Sequence, residues 1–128
     1  SMIQSGINVN MFNDSAINRD GGVLDYCRLN KITIQAWSPI QYGFFEGCFI
    51  DSDKFPELNR VMDEIASRYD VNKNTIAFAW ILRHPAKIQP VTGTTNTDRL
   101  KDYLKAADII LTREEWYDIY RAAGNILP

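Results

Sequence analysis

The chain has 128 residues, of which 45% are hydrophobic and 23% charged, an ordinary globular composition that predicts one domain and excludes a disordered chain. Its 14 basic and 16 acidic residues leave a net charge of −2, so it carries neither the basic footprint of a nucleic-acid binder nor a polybasic membrane patch. The longest apolar run, Ile76–Leu82, falls far short of the roughly 20 residues a membrane helix needs. The first residues, Ser1-Met-Ile-Gln-Ser-Gly6, join no basic stretch to an apolar one, so no secretory leader is expected.

Residues 1–19 show no clean period and read as a loop. A short helix then follows Asp20-Gly-Gly, carries Val23, Leu24 and Cys27, and ends near Asn30. Ile32–Trp37 alternates strictly and reads as a strand, with Ile32, Ile34 and Ala36 on one face. Ser38–Phe55 has no helical period but holds Tyr42, Phe44, Phe45, Phe49 and Phe55. Such a segment is either a lid or binding loop or a hydrophobic loop that simply packs. Pro56 opens a helix to Asp70, whose Leu58, Val61, Met62, Ile65, Ala66 and Tyr69 share one face. Asn72 caps the next helix, Lys73–Arg83, which is apolar all round over Ile76–Leu82 and is expected to be buried on several sides.

Pro85 stops that helix. Lys87–Thr92 is extended, though Pro90 argues against a regular central strand. Gly93-Thr-Thr-Asn-Thr97 opens a helix with Leu100, Tyr103, Leu104 and Ala107 on one face. The last helix starts from the capping box Thr112…Glu115, presents Trp116, Ile119, Tyr120 and Ala123, and closes at Gly124. Two short strands separated by helices predict βα units of a parallel sheet, in a chain that is otherwise mostly helical. Residues 1–128 read as one segment with no second domain.

Cys27 and Cys48 are too few for a disulfide scaffold or thiolate cluster, and a reducing, cytoplasmic setting is expected. Cys27 falls on an apolar helix face and reads as core; Cys48 lies in a loop. The single histidine, His84, ends a helix before Pro85 and reads as a cap, and no metal site is expected. The clearest chemical signal is Pro90-Val-Thr-Gly-Thr-Thr-Asn-Thr-Asp-Arg99, where a strand runs into Gly93, hydroxyls and a helix start. Helix N-termini offer backbone N–H groups to a phosphate, Thr94 and Thr95 add hydroxyls, and Arg99 adds a forked cation. The plainer reading is a capped turn with a surface arginine. A second signal, Trp37-Ser38-Pro39, sits at the carboxyl end of a strand, where ligands gather in parallel α/β folds. A core tryptophan is the plain alternative.

Taken in order, Ala36-Trp-Ser-Pro-Ile40, two helices, and Gln89-Pro-Val-Thr-Gly-Thr-Thr-Asn-Thr-Asp-Arg-Leu100 resemble the aldo-keto reductase family. Trp80-Ile-Leu-Arg-His-Pro85 and Thr112-Arg-Glu-Glu-Trp116 are similar to its bacterial branch. The resemblance covers nearly all the chain from Asp20 onward. It implies an α/β fold, the C-terminal part of a (β/α)8 barrel with strands seven and eight and their helices. A whole barrel takes about 250 residues, more than this chain has.

The resemblance also implies NADP(H) as cofactor and a small carbonyl compound as substrate of the parent enzyme. By position, Trp37 would stack on the nicotinamide, and Ser38, Ile40 and Tyr42 would line the pyrophosphate. The segment Gln41–Phe55 would fold over the cofactor. Gly93, Thr94, Thr95 or Asn96, and Arg99 would hold the adenosine 2′-phosphate, with Asp102 near the adenine amine. Many relatives have a lysine in the Gly93–Asn96 stretch; without it, preference for NADPH rests on Arg99. The family's catalytic Asp, Tyr, Lys and His lie upstream, so this chain is expected to be inactive alone and to self-associate through open strand edges. The alternative is a self-standing, mostly helical interaction module without cofactor, using Ile76–Leu82 and the aromatic loop for contacts.

Overall fold

A computed structural model describes residues 7–8, 17–18, 22–43 and 46–126. Strands β1 (Ile7–Asn8) and β2 (Ile17–Asn18) form an antiparallel pair inside the stretch that the composition reads as loop. Asp20, Phe44 and Phe45 lie outside the described residues, as does the rest of that stretch. Helix α1 (Gly22–Leu29) is followed by β3 (Gln35–Ala36) and a hairpin of β4 (Gln41–Tyr42) and β5 (Gly47–Cys48). The predicted long loop therefore contains an antiparallel turn. Then come α2 (Pro56–Arg68), α3 (Lys73–Leu82), β6 (Gln89–Pro90), α4 (Thr97–Lys105), a 3-10 turn (Ala106–Asp108) and α5 (Arg113–Ala122).

Strand β3 pairs with β6 in parallel, with Gln35 opposite Gln89 and Ala36 opposite Pro90. The Gln89 and Val91 N–H groups donate to the Ile34 and Ala36 carbonyls at 2.9 and 2.8 Å. Pro90 has no N–H, and the ladder runs through the residues on either side of it. The alternating run Ile32–Trp37 is thus a strand over two residues only. Ile32 and Trp37, at its ends, are exposed. Period marks which residues can pair; an observed ladder also needs a neighbour, and β6 supplies just two bridges.

Helix α3 is the centre of the packing, against α2, α4, the 3-10 turn and β6. Thr75 to Ala79 and Ile81 are buried around its whole circumference, as its apolar composition predicts. The Asn72 side chain caps it by accepting from the Thr75 N–H at 3.0 Å. Within Ile76–Leu82, Ile76 to Ala79 and Ile81 are buried and so are not available as the contact surface of an interaction module, while Trp80 is half-buried and Leu82 is exposed. Helix α2 brings Leu58, Met62, Ile65 and Ala66 to the same core, and α5 brings Ile119.

Two expectations about faces need correction. Of the predicted α4 face, Tyr103 is buried, its ring stacked on Phe78 at 4.0 Å, but Leu104 is 73% exposed. The chain tightens into the 3-10 turn after Lys105, which carries Ala106 rather than Ala107 inward. Helix α1 has no buried residue, so Cys27 is only partly covered and is not core. None of the described helices is long and apolar enough to cross a membrane.

Candidate functional site

Because β3 and β6 run parallel, the loops that follow them leave from the same end of the pair. Trp37 stands at that end, 60% exposed, with its indole outside the core. Ser38 takes a left-handed backbone (φ 50), uncommon for a residue with a side chain, and turns the chain sharply. Its carbonyl accepts from the Gln41 N–H at 3.1 Å, and the Ile40 carbonyl accepts from the Phe49 N–H at 3.1 Å, so the hairpin folds back on the turn. Ile40 and Tyr42 pack against the core. The Tyr42 ring meets Phe55 edge-on at 4.9 Å, and the Lys54 ammonium lies 4.9 Å from its centroid. Gly47 (φ 145) makes this possible: a Cβ there would lie 3.3 Å from the Tyr42 ring.

On the other loop, Gly93 is exposed, and a Cβ there would meet nothing within 4 Å. The Thr94 hydroxyl accepts from the Asn96 N–H at 3.2 Å. Asn96 caps α4, its Oδ1 accepting from the Asp98 and Arg99 N–H groups at 2.9 and 3.1 Å. The Asp98 and Arg99 amides that a phosphate would use are therefore already engaged. What this end offers an anion is side chains: Thr94, the exposed Thr95, and Arg99. The Arg99 guanidinium is exposed, and among the described residues no carboxylate pairs with it. Its charge acts on the hairpin's Cys48 and on Tyr103 of α4: burial holds both above their ordinary values, and Arg99 offsets part of that.

Asp102 is committed elsewhere. Its carboxylate accepts from Asn72 Nδ2 at 2.5 Å and Lys105 Nζ at 3.3 Å, and its carbonyl accepts from the Thr75 hydroxyl at 2.9 Å. These bonds fasten α4 to the start of α3. His84 acts as a turn partner, its Nδ1 accepting from the Ala86 N–H at 3.2 Å. Burial and the charge of Arg28 hold its imidazole below the ordinary value. Two grooves, of about 420 and 310 Å³, lie on the helical side, one between α2 and α5 and one beside His84 and Trp116. Neither includes a residue of the two loops.

The structure thus brings the Trp37–Tyr42 turn, the hairpin and Arg99 to one end. Sequence reasoning missed what braces them: Asn59, Lys54 and Lys73. The available signal was Asn59 itself, a polar residue between Leu58 and Met62 on the apolar face of a helix.

Residues 2–123 match the model of the Aldo/keto reductase family. The chain is 32% identical over 103 residues to the 6-dehydroglucose reductase of Agrobacterium fabrum, a match covering 80% of this chain and 33% of that protein. It is 29% identical over 110 residues to the 6-dehydroglucose reductase of Novosphingobium aromaticivorans, covering 85% of this chain and 36% of that protein. Among solved structures it superposes on the thermostable aldo-keto reductase Tm1743, crystallised with the inhibitor epalrestat. That match has a TM-score of 0.63 and 26% identity, over 91% of this chain and 38% of that one. The chain spans about a third of the length of these relatives.

Proposed function

The chain belongs to the aldo/keto reductase family, and from that premise we propose that it forms one wall of the cofactor site of an NADP(H)-dependent carbonyl reductase. In this reading β3 and β6 are strands seven and eight of a (β/α)8 barrel, residues 1–128 are one C-terminal segment of it, and the protein is of the bacterial branch. The observation that carries the reading is the parallel β3–β6 pair, which sends the Trp37 turn and the Arg99 loop out from the same end. In parallel barrels that end is where ligands bind.

NADPH supplies a hydride to a carbonyl carbon when bound. Trp37 offers an exposed indole face on which the nicotinamide ring stacks. Ser38, Ile40 and Tyr42 form the turn that follows the pyrophosphate, and the hairpin lies over it. Arg99, without a carboxylate partner among the described residues, clamps the 2′-phosphate with Thr94 and Thr95, while Gly93 leaves room for close approach. Asn96 and Asp102 serve this site indirectly: Asn96 caps α4, and Asp102 ties it to α3. These side chains fit the charge and shape of the cofactor's phosphate end.

The proton donor and its Asp, Lys and His partners belong to strands outside this segment, so the segment alone is inactive. Two similar proteins are 6-dehydroglucose reductases, and an aldehyde or ketone on a small molecule is the proposed substrate class. The free thiols Cys27 and Cys48 fit a cytoplasmic setting.

The test is calorimetric titration of the chain with adenosine 2′,5′-bisphosphate and with 5′-AMP. The bisphosphate is expected to bind more tightly, and Arg99→Ala to weaken it at least about tenfold, the scale of one charged hydrogen-bonding pair. Equal affinities, or an Arg99→Ala chain that binds like the wild type, would contradict the assignment.

A further inference from the structure

Asn59 lies 9% exposed on the core side of α2, among Leu58, Met62 and Ile65. A primary amide in such surroundings is costly unless its donors and acceptor are paired. All three of its hydrogen bonds go to the loop that joins β5 to α2. Its Nδ2 donates to the Phe49 carbonyl at 2.8 Å and to the Phe55 carbonyl at 2.9 Å, and its Oδ1 accepts from the Asp51 N–H at 2.8 Å. One side chain therefore closes both ends of the loop 49–55. Asp51, between them, is held in a left-handed conformation (φ 59). Lys73 of α3 adds a second tie, its Nζ bridging Asp51 at 2.7 Å and Asp63 at 2.8 Å.

The next contacts lead to the candidate site. Phe49 bonds back to Ile40, Phe55 and Lys54 pack on the Tyr42 ring, and the charge of Arg99 acts on Cys48. The contacts of Phe49, Phe55 and Lys54 depend on where the loop 49–55 lies.

We propose that Asn59 is a positioning residue of the cofactor site: by fixing both ends of the loop 49–55 it holds the β4–β5 hairpin, and with it Tyr42, in place against the core. That the positioned site takes NADPH rests on the reading above; the clasp itself rests on the three bonds. A residue that served stability alone would weaken the whole fold and leave the affinity of the folded fraction unchanged.

The experiment compares wild type, Asn59→Asp and Asn59→Ala in the full chain, by amide hydrogen exchange and by NADPH titration. Asn59→Asp keeps the acceptor for Asp51 but faces two carbonyls with a carboxylate. Exchange over residues 47–55 is expected to quicken at least about tenfold at pH 7, the scale of one lost buried hydrogen bond, with the amides of Ile76–Ile81 unchanged. NADPH affinity is expected to fall by a similar factor. Both effects should recede as the pH is lowered, because a carboxyl opposed by carbonyls keeps its proton and then donates to one of them. Asn59→Ala, which removes the bonds without adding charge, should show the local exchange and the weaker binding at every pH.

Unchanged exchange in the loop overturns the proposal, and so does uniform acceleration of loop and core in both variants. Local loosening with unaltered NADPH affinity overturns the positioning role. Wild-type chain that binds no NADPH would overturn the cofactor reading instead, and the exchange pattern would still decide whether Asn59 holds the hairpin.

Discussion

The Glu115 carboxylate accepts from the Tyr69 hydroxyl at 2.7 Å, the Thr112 N–H at 2.9 Å and the Arg68 guanidinium at 3.2 Å. Burial pushes this carboxyl up, but the three donors outweigh burial and hold it below the ordinary 4.5. A carboxyl depressed in the folded state contributes stability that is complete above its unfolded value and lost as the pH falls through the folded one. Acid denaturation followed by circular dichroism should therefore show stability declining from about pH 4.5 downward. Glu115→Gln should flatten that limb and cost about 1–2 kcal/mol at neutral pH; an acid limb of unchanged slope would contradict this.

The Thr112…Glu115 box was legible in sequence because a cap is a local device, four residues long. Asn59 was not, because its partners are carbonyls and an N–H of a loop whose path no period encodes. The resemblance gave Arg99 and Asp102 alike to the adenosine end of the cofactor, and only the neighbouring Asn72 and Lys105 commit the second elsewhere.

At the scale of elements, the helices followed their sequence closely and the strands did not. Pro56, Asn72, Asn96 and Thr112 stand at the starts of α2 to α5, and Gly124 (φ 87) stands just beyond α5. Each start or stop is written within one turn. The β3–β6 ladder joins residues more than fifty positions apart, and its length depends on neighbours rather than on alternation. The hairpin was hidden because no Asn-Gly or Asp-Gly pair marks it; Gly43 (φ 58) follows β4 and Gly47 (φ 145) begins β5.

Packing between elements is equally specific. The indoles of Trp80 and Trp116 stack at 4.6 Å, and each N–H donates to the other residue's carbonyl at 3.0 Å, clamping α3 to α5. Trp116→Phe keeps a stacked ring but strands the Trp80 carbonyl. It is expected to cost about 1–2 kcal/mol and several degrees in a thermal melt; a melting temperature equal to wild type would show that the reciprocal bonds contribute nothing.

At the scale of the whole molecule, several large apolar side chains among the described residues are left exposed. Leu29 is 82% exposed on a helix with no buried residue, and Tyr26, Ile32 and Leu82 are exposed as well. Among the described residues, strand β3 has a partner on one edge only. In the proposed barrel the remaining strands and helices cover these side chains, and without them the chain should associate. Light scattering across a dilution series is expected to give a mass above 14.7 kDa that rises with concentration; a constant monomer mass at micromolar concentration would contradict it.

The central claim, that one wall of an NADP(H) site is assembled at the shared end of β3 and β6, is tested most directly by following tryptophan emission as the chain is titrated with NADPH and NADH. Saturable quenching that favours NADPH and disappears in Trp37→Phe, with Trp80 and Trp116 still present, is the predicted result. A chain folded by circular dichroism that shows no saturable change, or quenching that survives Trp37→Phe undiminished, would contradict it.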